Sequence, residues 1–384
     1  MRILHVNNVL PVEPLDGGRM RKQQQIDALA AAHDVWVIGR APDAAARDAL
    51  AASRPGWTLV TVPEPDVPGR NPVSAAVRAL TAREHFDIVL VSGFGQWPGE
   101  RAFGSSYVVL DIDSLDDVVF RRMQQTDATA ASAFDVAATE ALTRDVCRRA
   151  DVVLACSDVD ASYIRGLAPE ARVEVSANGI DASRFAGLAP TPTTAVPTVT
   201  FTGFLAYWPN ADACRFLMGD VLPVLRRLVP DVTLRIVGRV PSAEVVSLAA
   251  HHGVELHADV PDILPWFERS HVMVAPIRAG SGTRLKILEA FAARRPVVST
   301  TIGCEGLDVQ DDAHLLVADT ADAFAAAVAR VLTEAGLGAR LTAAAHQLLL
   351  QQYERQTIAE DLRRVIASLH VAPPRGTTRA GGRA

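Results

Sequence analysis

The chain has 384 residues, which is enough for two compact domains, because single hydrophobic cores usually stop growing at roughly 250 to 300 residues. Hydrophobic residues make up 49% of the chain and charged residues 21%, a composition that excludes an intrinsically disordered protein. The formal net charge of -6 gives no general attraction to a nucleic-acid backbone, so no nucleic-acid partner is expected.

Short apolar runs alternate with longer helical patterns along the chain. Each run has the length and aliphatic composition of a buried strand, and the first series occupies residues 3–6, 35–38, 88–91, 107–110 and 152–155. The second series occupies residues 198–202, 233–237, 254–257, 272–275 and 297–300. Strands that alternate with helices form parallel sheets covered by helices on both faces. The chain is therefore predicted to be an α/β protein with two Rossmann-like domains, whose parallel sheets face a central cleft where ligands bind.

The prolines and a helical pattern near the end of the chain suggest how it is divided. Residues 186–197 contain three prolines among several threonines and alanines, a composition typical of a linker, and they are the predicted hinge. A long helical pattern from about residue 339 to 369 is interrupted at residues 351–355. The predicted segments are an acceptor domain at 1–185, the linker at 186–197, a donor domain at 198–345, a C-terminal helix at 346–370 that packs back towards the N-terminal domain, and a disordered tail at 371–384.

Cysteine spacing and hydropathy indicate the compartment. The four cysteines form no CxxC pair, so the sequence suggests neither a zinc site nor a disulfide framework. No apolar stretch reaches the roughly 18 residues that a membrane span needs, and no secretory signal precedes the first predicted strand. The predicted location is the cytoplasm, with at most peripheral contact at the inner face of the membrane.

The most informative stretch is residues 271–300, HVMVAPIRAGSGTRLKILEAFAARRPVVST, which reads as strand, glycine-rich turn, helix and strand. Gly280 and Gly282 allow the backbone to approach a ligand closely, and the helix N-terminus behind them predicts an anion site. Lys286 and Glu289 share one helical face, where an ammonium can meet a diphosphate while a carboxylate accepts hydrogen bonds from ribose. The alternative is that these two residues form an ordinary exposed ion pair.

This stretch resembles the donor-binding region of glycosyltransferase family 4. The resemblance continues in order through most of the chain, in the segments VLACSDVDASYI, SANGIDASRF, FTGFLAYWPNADACRFL, VLPVLRRLVPDVTLRIVG and ADVPDILPWF. It implies the GT-B architecture and implies that Glu289 holds the ribose of a nucleotide sugar. It also implies that Gly203 approaches the donor phosphates and that the backbone near Val260 and Pro261 meets the base. A simple tight turn is the alternative for Gly203.

Two departures from the family pattern change the expected donor contacts. Position 281 is a serine, whereas many members carry the first glutamate of a Glu-x7-Glu motif there. The donor sugar is therefore expected to contact backbone N–H groups of the turn formed by Gly280, Ser281, Gly282 and Thr283. The FTG turn also lacks the basic residue that often follows it. Arg284 and Lys286 are therefore expected to supply the positive charge for the phosphates.

A glycine pair after the first strand resembles the family's glycine pair near the reacting centre. The segment Asp16-Gly17-Gly18-Arg19 leads into a helix, and the resemblance implies that the N–H groups of Gly17 and Gly18 meet phosphate or sugar. A purely structural turn is the alternative. The segment is not a GxGxxG fingerprint, which counts against a dinucleotide oxidoreductase.

Two aspartates stand at the end of a predicted strand, where many family members have a histidine that contacts the donor sugar. Asp111 or Asp113 is therefore predicted to face the reacting sugar or to orient the acceptor hydroxyl as a base. The alternative is that they cap the following helix beside Ser114. A metal-binding DxD pair of the GT-A type is disfavoured by the two-domain architecture, so no metal ion is expected.

The resemblance implies a retaining, metal-independent hexosyltransferase that uses a UDP- or GDP-type nucleoside-diphosphate sugar as co-substrate and needs no other cofactor. The acceptor hydroxyl is expected to belong to a carbohydrate such as a polysaccharide, to a glycolipid or other lipid-linked acceptor, or to a small secondary metabolite. Two alternatives stay open. One is a nucleotide-sugar epimerase of the same fold, and the other is a binding protein that has lost catalysis.

Overall fold

A computed structural model of the chain describes residues 1–13, 15–63, 72–97, 103–127, 134–190 and 192–369. Its contacts divide the chain into two compact units. The first unit contains Met1–Leu115, Ala137–Ala177 and the described residues from Ala359 onwards. The second unit contains Asp116–Val136 and Asn178–Ile358. The predicted tail at 371–384 lies outside the described residues.

A seven-stranded sheet forms the centre of the first unit. All its neighbouring strands pair in parallel, in the order β3-β2-β1-β4-β5-β6-β7. The strands are β1 (Arg2–Val9), β2 (Asp34–Arg40), β3 (Trp57–Val62), β4 (Ile88–Ser92), β5 (Tyr107–Ile112), β6 (Val152–Ala155) and β7 (Val173–Val175). The helices that accompany them are Gly17–Ala30, Ala44–Ser53, Pro72–Thr81, Val136–Arg149, Asp158–Leu167 and most of Arg355–Ser368.

A six-stranded parallel sheet forms the centre of the second unit, in the order β10-β9-β8-β11-β12-β13. The strands are β8 (Thr198–Phe204), β9 (Thr233–Arg239), β10 (Glu255–Ala258), β11 (Val272–Ala275), β12 (Val297–Ser299) and β13 (Leu316–Val317). The accompanying helices are Asp116–Thr126, Trp208–Arg215, Leu222–Leu228, Ala243–His252, Leu264–Glu268, Leu285–Ala292, Thr301–Cys304, Ala321–Thr333 and Leu337–Leu348.

Each sheet is buried between helices, which is why its strands read as apolar runs. All five residues of β4 are buried, and β5 is buried along all but its first residue. Every strand predicted from these runs is present, so the two-domain α/β prediction is confirmed. The pattern missed β3, β7 and β13, because two of these strands are very short and β3 is half exposed.

The predicted linker at 186–197 lies within the second unit. The buried guanidinium of Arg295 donates hydrogen bonds to the carbonyl oxygens of Ala189 at 2.8 Å and Pro190 at 3.1 Å. The N–H of Thr193 donates to the carbonyl of Glu268 at 3.2 Å. A buried guanidinium needs acceptors for its N–H groups, so this segment is held in place. The structure therefore corrects the predicted boundary: the chain changes units at Ala177/Asn178 and Ile358/Ala359.

The C-terminal helical pattern is interrupted where the sequence predicts it. Helix Leu337–Leu348 ends in a π-helical turn at Leu349–Tyr353, and Glu354 has extended backbone with ψ 137°. Helix Arg355–Ser368 then begins, and Leu362, Ile366 and the following Leu369 pack into the core of the first unit. Among the described helices, none combines the length and apolar character that crossing a bilayer requires.

Candidate functional site

The residues of the second unit that were predicted for donor binding lie at the carboxyl edge of its sheet or directly after it. The strands are parallel, so the ends of β8, β10 and β11 lie at the same edge. Gly203 belongs to the end of β8, Val260 is a half-buried residue just beyond β10, and the glycine-rich turn follows β11. This edge is where open parallel sheets bind ligands.

The glycine-rich turn has a backbone shaped by its glycines and by one arginine. Gly282 has φ 76°, a left-handed conformation that glycine adopts without strain. The guanidinium of Arg284 donates to the carbonyl oxygens of Ser281 at 2.6 Å, of Gly282, and of Ile302 at 3.3 Å. A side chain at Gly280 would collide with this guanidinium, since an added Cβ would lie 2.8 Å from it. Arg284, which the sequence predicted as a second cation for the phosphates, therefore directs these N–H groups at backbone carbonyls and supports the shape of the turn.

Helix Leu285–Ala292 begins directly after the turn and carries the two charged candidates. Its apolar side, including Ile287, Leu288 and Phe291, is buried. Lys286 and Glu289 are both half-buried, and no ion pair joins them within the described part of the chain. The alternative interpretation of these residues as an exposed ion pair is therefore wrong.

Lys286 is held by neutral neighbours. Its ammonium donates to Oδ1 of Asn210 at 2.8 Å and lies 4.0 Å from the centre of the Phe201 ring. Loss of water around the ammonium lowers the pKa of Lys286 to about 7. The nearby Cys214 acts to raise this pKa, and the positive charge of Arg284 acts to lower it further. An anion bound against this ammonium would replace the water that it has lost.

Glu289 stands one turn further along the helix. Burial raises the pKa of its carboxyl to about 7, although the charges of Arg184 and Lys286 favour the ionised form. Among the described residues, none donates a hydrogen bond to this carboxyl group. Glu289 therefore presents a partly buried acceptor to any ligand at this edge, as vicinal hydroxyl groups would require.

Two residues from other parts of the second unit form hydrogen bonds with the glycine-rich turn, and the sequence did not predict either of them. Nδ2 of Asn178 donates to Oγ1 of Thr283 at 2.7 Å. Arg122 donates to the carbonyl of Gly280 at 2.5 Å and forms a two-point ion pair with Glu305, at 2.6 and 2.8 Å. The motif SANGID contains Asn178 and was a usable signal, but Arg122 lies in a segment without any motif.

The aromatic residues after β8 divide into two groups. Phe204 and Tyr207 are exposed, at 38% and 43%. Trp208 instead packs against a small cluster of Val119, Met123 and Ala279. Phe204 and Tyr207 are therefore more exposed than Trp208.

The glycine pair and Asp113 come together in the first unit. Asp16 caps the helix that begins at Gly17, since its Oδ1 accepts a hydrogen bond from the N–H of Arg19 at 2.9 Å. A side chain added at Gly18 would place its Cβ 3.1 Å from Oδ2 of Asp113. Burial raises the pKa of the half-buried Asp113 carboxyl. The backbone of Gly18 and the Asp113 carboxyl thus adjoin.

Asp111 has a different environment, which corrects its prediction as a base. Its side chain is fully buried, and Arg21 donates to both of its oxygens, with the shortest contact at 2.6 Å. Gln25 donates to Oδ1 at 2.9 Å, and Arg21 also donates to the carbonyl of Ser176 at 2.8 Å. A carboxylate enclosed in this way has no oxygen free for a substrate, and its role is to hold Arg21 in the core. Burial beside this pair lowers the pKa of His5 to about 4.

In the described ranges, no three His, Cys, Asp or Glu side chains lie close enough together to hold a metal ion.

Two family models match the chain in sequence. The one described as Glycosyl transferases group 1 matches residues 196–334, and the one described as Glycosyltransferase Family 4 matches residues 23–184. Together they span most of the chain and most of both units. A search of curated proteins finds no match in sequence.

Solved structures share the fold at low sequence identity. A sucrose-phosphate synthase from Thermosynechococcus elongatus is 16% identical with a TM-score of 0.78, and the match covers 97% of this chain and 99% of that one. HepE from Anabaena, solved with UDP and glucose, is 16% identical with a TM-score of 0.73, covering 96% and 100%. WaaG, a glycosyltransferase involved in lipopolysaccharide biosynthesis, is 14% identical with a TM-score of 0.71, covering 95% and 99%.

The structural likeness agrees with the family models. The two parallel-sheet α/β units are those of GT-B enzymes, and the sequence matches cover every strand of the second sheet and every strand of the first except β1. The chain is therefore a GT-B glycosyltransferase and belongs to the glycosyl transferases of group 1 and family 4.

Proposed function

We propose that this glycosyltransferase moves a hexose-type sugar from a UDP- or GDP-type donor to an acceptor hydroxyl with retention of anomeric configuration and without a metal ion. The observation that carries the proposal is the pair of half-buried, oppositely charged groups on helix Leu285–Ala292. Lys286 has only neutral partners close to its ammonium, and Glu289 accepts no hydrogen bond from the described residues. A nucleoside diphosphate has a matching anion and a matching ribose diol.

In this reaction the bond between C1 of the sugar and the diphosphate oxygen breaks, and a bond from C1 to the acceptor oxygen forms. The departing diphosphate gains negative charge as the bond breaks. The Lys286 ammonium, together with N–H groups at the start of its helix, stabilises that charge. Arg284 contributes indirectly, because its guanidinium holds the carbonyl groups of the turn.

The remaining donor contacts follow from the turn and from the strand ends. Ser281 is buried, so recognition of the donor sugar is assigned to backbone N–H groups between Gly280 and Thr283. Val260 at the end of β10 is assigned to the base, and Glu289 to the ribose. Asp113 is assigned to the reacting sugar or to the acceptor proton, since its raised pKa suits a group that exchanges protons.

The relatives support the donor class and a range of acceptors. HepE has been solved with UDP and with UDP-glucose, and WaaG takes part in lipopolysaccharide biosynthesis. We therefore place UDP-hexoses first among the donors and a carbohydrate or lipid-linked hydroxyl first among the acceptors. Action in the cytoplasm, with peripheral contact at the inner face of the membrane, would suit such an acceptor.

Substitution of Lys286 tests the proposal. Lys286→Ala is expected to weaken binding of UDP or GDP at least roughly tenfold and to lower turnover roughly a hundredfold, because it removes a cation from the leaving group. Calorimetric titration and release of nucleoside diphosphate in the presence of an acceptor mixture measure the two effects. Arg227→Ala, which removes an exposed cation from the same unit, is the matched control and should change neither.

Each alternative has its own outcome. An epimerase would convert the nucleotide sugar without any acceptor, and a binding protein would retain the nucleotide without releasing product. NMR of the glycosylated product distinguishes retention from inversion. Unchanged nucleotide binding in the Lys286→Ala protein would refute the role given to this residue.

A further inference from the structure

Lys286 needs a fixed direction if it is to meet a diphosphate at one place. A lysine side chain has four rotatable bonds and a strongly hydrated ammonium, so a loosely held one spreads its charge over many positions. Two contacts restrict Lys286: the 2.8 Å hydrogen bond to Oδ1 of Asn210 and the 4.0 Å approach to the Phe201 ring. Only the first of these is directional.

Asn210 is itself rigidly placed. It lies in the first turn of helix Trp208–Arg215, where it is 9% exposed, and its N–H donates to the carbonyl of Tyr207 at 2.9 Å. Its side-chain Nδ2 donates to the carbonyl of Phe204 at 2.8 Å. A carbonyl accepts only from the nitrogen of the amide, so this bond turns Oδ1 towards Lys286.

The amide also suits the task because it is neutral. An aspartate at position 210 would accept the same hydrogen bond, but its negative charge would offset the ammonium within hydrogen-bond distance. Asn210 orients Lys286 and leaves its positive charge available for an anion.

Gly203 provides the space that Asn210 occupies. A Cβ added at Gly203 would lie 3.1 Å from both Cγ and Nδ2 of Asn210 and 3.2 Å from its Oδ1. These distances are shorter than ordinary van der Waals contact, and the buried amide is held at both ends, so it could not move aside freely. Gly203 lies at the end of strand β8 and not in a tight turn, so the packing of Asn210 is a reason for this glycine that does not involve the contact with the donor phosphates.

We infer that Asn210 is the positioning residue that aims the Lys286 ammonium at the leaving diphosphate, and that residue 203 is glycine because the Asn210 amide fills the place of its side chain. This inference rests on the proposed function and deepens it. Asn210 acts through Lys286, and Gly203 acts through Asn210.

The inference is tested by double-mutant cycles read by calorimetric titration with UDP and, in parallel, GDP. Asn210→Ala is expected to weaken binding roughly tenfold in the wild-type background, because a hydrogen bond to a charged group is lost. In the Lys286→Ala background the same substitution is expected to change binding less than about twofold. A purely structural role for Asn210 would weaken binding alike in both backgrounds, and that result overturns the inference.

Gly203 has its own cycle. Gly203→Ala is expected to weaken binding several-fold when Asn210 is present and to cost little in the Asn210→Ala background, where the space is empty. An equal loss in both backgrounds would mean that the ligand itself needs the glycine, which overturns this half of the inference. Thermal unfolding of every variant confirms that each one folds.

Asn210→Asp preserves the shape of the side chain but replaces the neutral amide with a negatively charged carboxylate. It is expected to bind UDP more weakly than the wild type and to lower turnover at saturating donor. Both are measured well below its melting temperature, which should fall because an aspartate cannot donate to the Phe204 carbonyl. Wild-type affinity in this variant contradicts the need for a neutral amide.

If the wild-type protein binds neither UDP nor GDP, the proposed function fails together with the inference. If Lys286→Ala loses binding but Asn210→Ala does not, only the inference fails.

Discussion

Two ionisable side chains on one helix have pKa values that converge from opposite directions. Burial lowers the pKa of Lys286 to about 7 and raises that of Glu289 to about 7. Both groups lose water, and neither gains a close partner of opposite charge. Perturbed pKa values of this kind are typical of functional sites, where a bound ligand provides the charge or hydrogen bonds that the surrounding protein does not.

The pKa of Lys286 predicts how nucleotide binding depends on pH. A diphosphate raises the pKa of the ammonium that it contacts, so binding takes up a proton whenever Lys286 is neutral in the free protein. Lys286 is about half charged near pH 7, and its contribution to UDP affinity is therefore present below pH 7 and falls as the pH rises above 7. Calorimetric titration between pH 6 and pH 8.5 measures this slope, which approaches about tenfold per pH unit.

Glu289 acts in the opposite direction, so a control is needed. Under the proposed function its ionised form accepts hydrogen bonds from the donor ribose, and this contribution is expected to grow as the pH rises through 7. Lys286→Arg keeps a charge at all these pH values, and the difference between this variant and the wild type isolates the lysine. Equal slopes for the two proteins would show that Lys286 does not titrate in this range.

At the scale of elements, one helix that follows a strand of the first unit in sequence belongs to the second unit. Helix Asp116–Thr126 directly follows strand β5 of the first unit, yet its contacts assign it to the second. Val119 and Met123 pack against Ala279, and Arg122 binds the Gly280 carbonyl. The helix therefore forms part of the support for the glycine-rich turn.

Removing Arg122 is expected to loosen this turn. Arg122→Ala eliminates the hydrogen bond to Gly280 and leaves Glu305 without its guanidinium, so UDP affinity should fall several-fold. Hydrogen exchange should rise at residues 280–284, and mass spectrometry of peptides from this turn measures the change. Gln124→Ala, on the exposed side of the same helix, is the matched control. Unchanged exchange in the Arg122→Ala protein would contradict the support.

At the scale of the whole molecule, buried hydrogen bonds hold the proline-rich segment within the second unit. Arg295 is 1% exposed and donates to five carbonyl oxygens, including those of Ala189 and Pro190. The proline-rich segment therefore belongs to the second unit, although its composition is that of a linker.

Arg295→Met is expected to destabilise the second unit by at least about 3 kcal/mol, because several buried carbonyl groups lose a charged donor. Denaturant unfolding measures the loss, and limited proteolysis should detect new cleavage at residues 186–190. Arg294→Ala removes the neighbouring exposed arginine and should leave both measurements near the wild type. A midpoint for Arg295→Met equal to that of this control would show that the buried arginine does not fasten the segment.

The sequence predicted local features well, for a physical reason. Strands buried on both faces must be apolar along their length, so β1, β4, β6 and β11 could be recognised without any tertiary information. Helix Leu285–Ala292 and its charged pair were equally visible, since their spacing is a local property. The resemblance to family 4 assigned the fold and the enzyme class.

The amino-acid sequence by itself determined the two-sheet architecture, the glycine-rich turn and the position of Lys286 and Glu289 on one helix. Only the tertiary structure decided that Arg21 pairs with the buried Asp111 and that Lys286 donates a hydrogen bond to Asn210. It also decided that Arg122 and Arg295 donate to backbone carbonyl groups distant in the sequence. These contacts join residues that are mostly far apart in the chain, and sequence spacing carries no information about which distant donor meets which acceptor. Burial strengthens the effect of these contacts, because exclusion of water shifts the pKa of an ionisable group and makes an unpaired polar group costly.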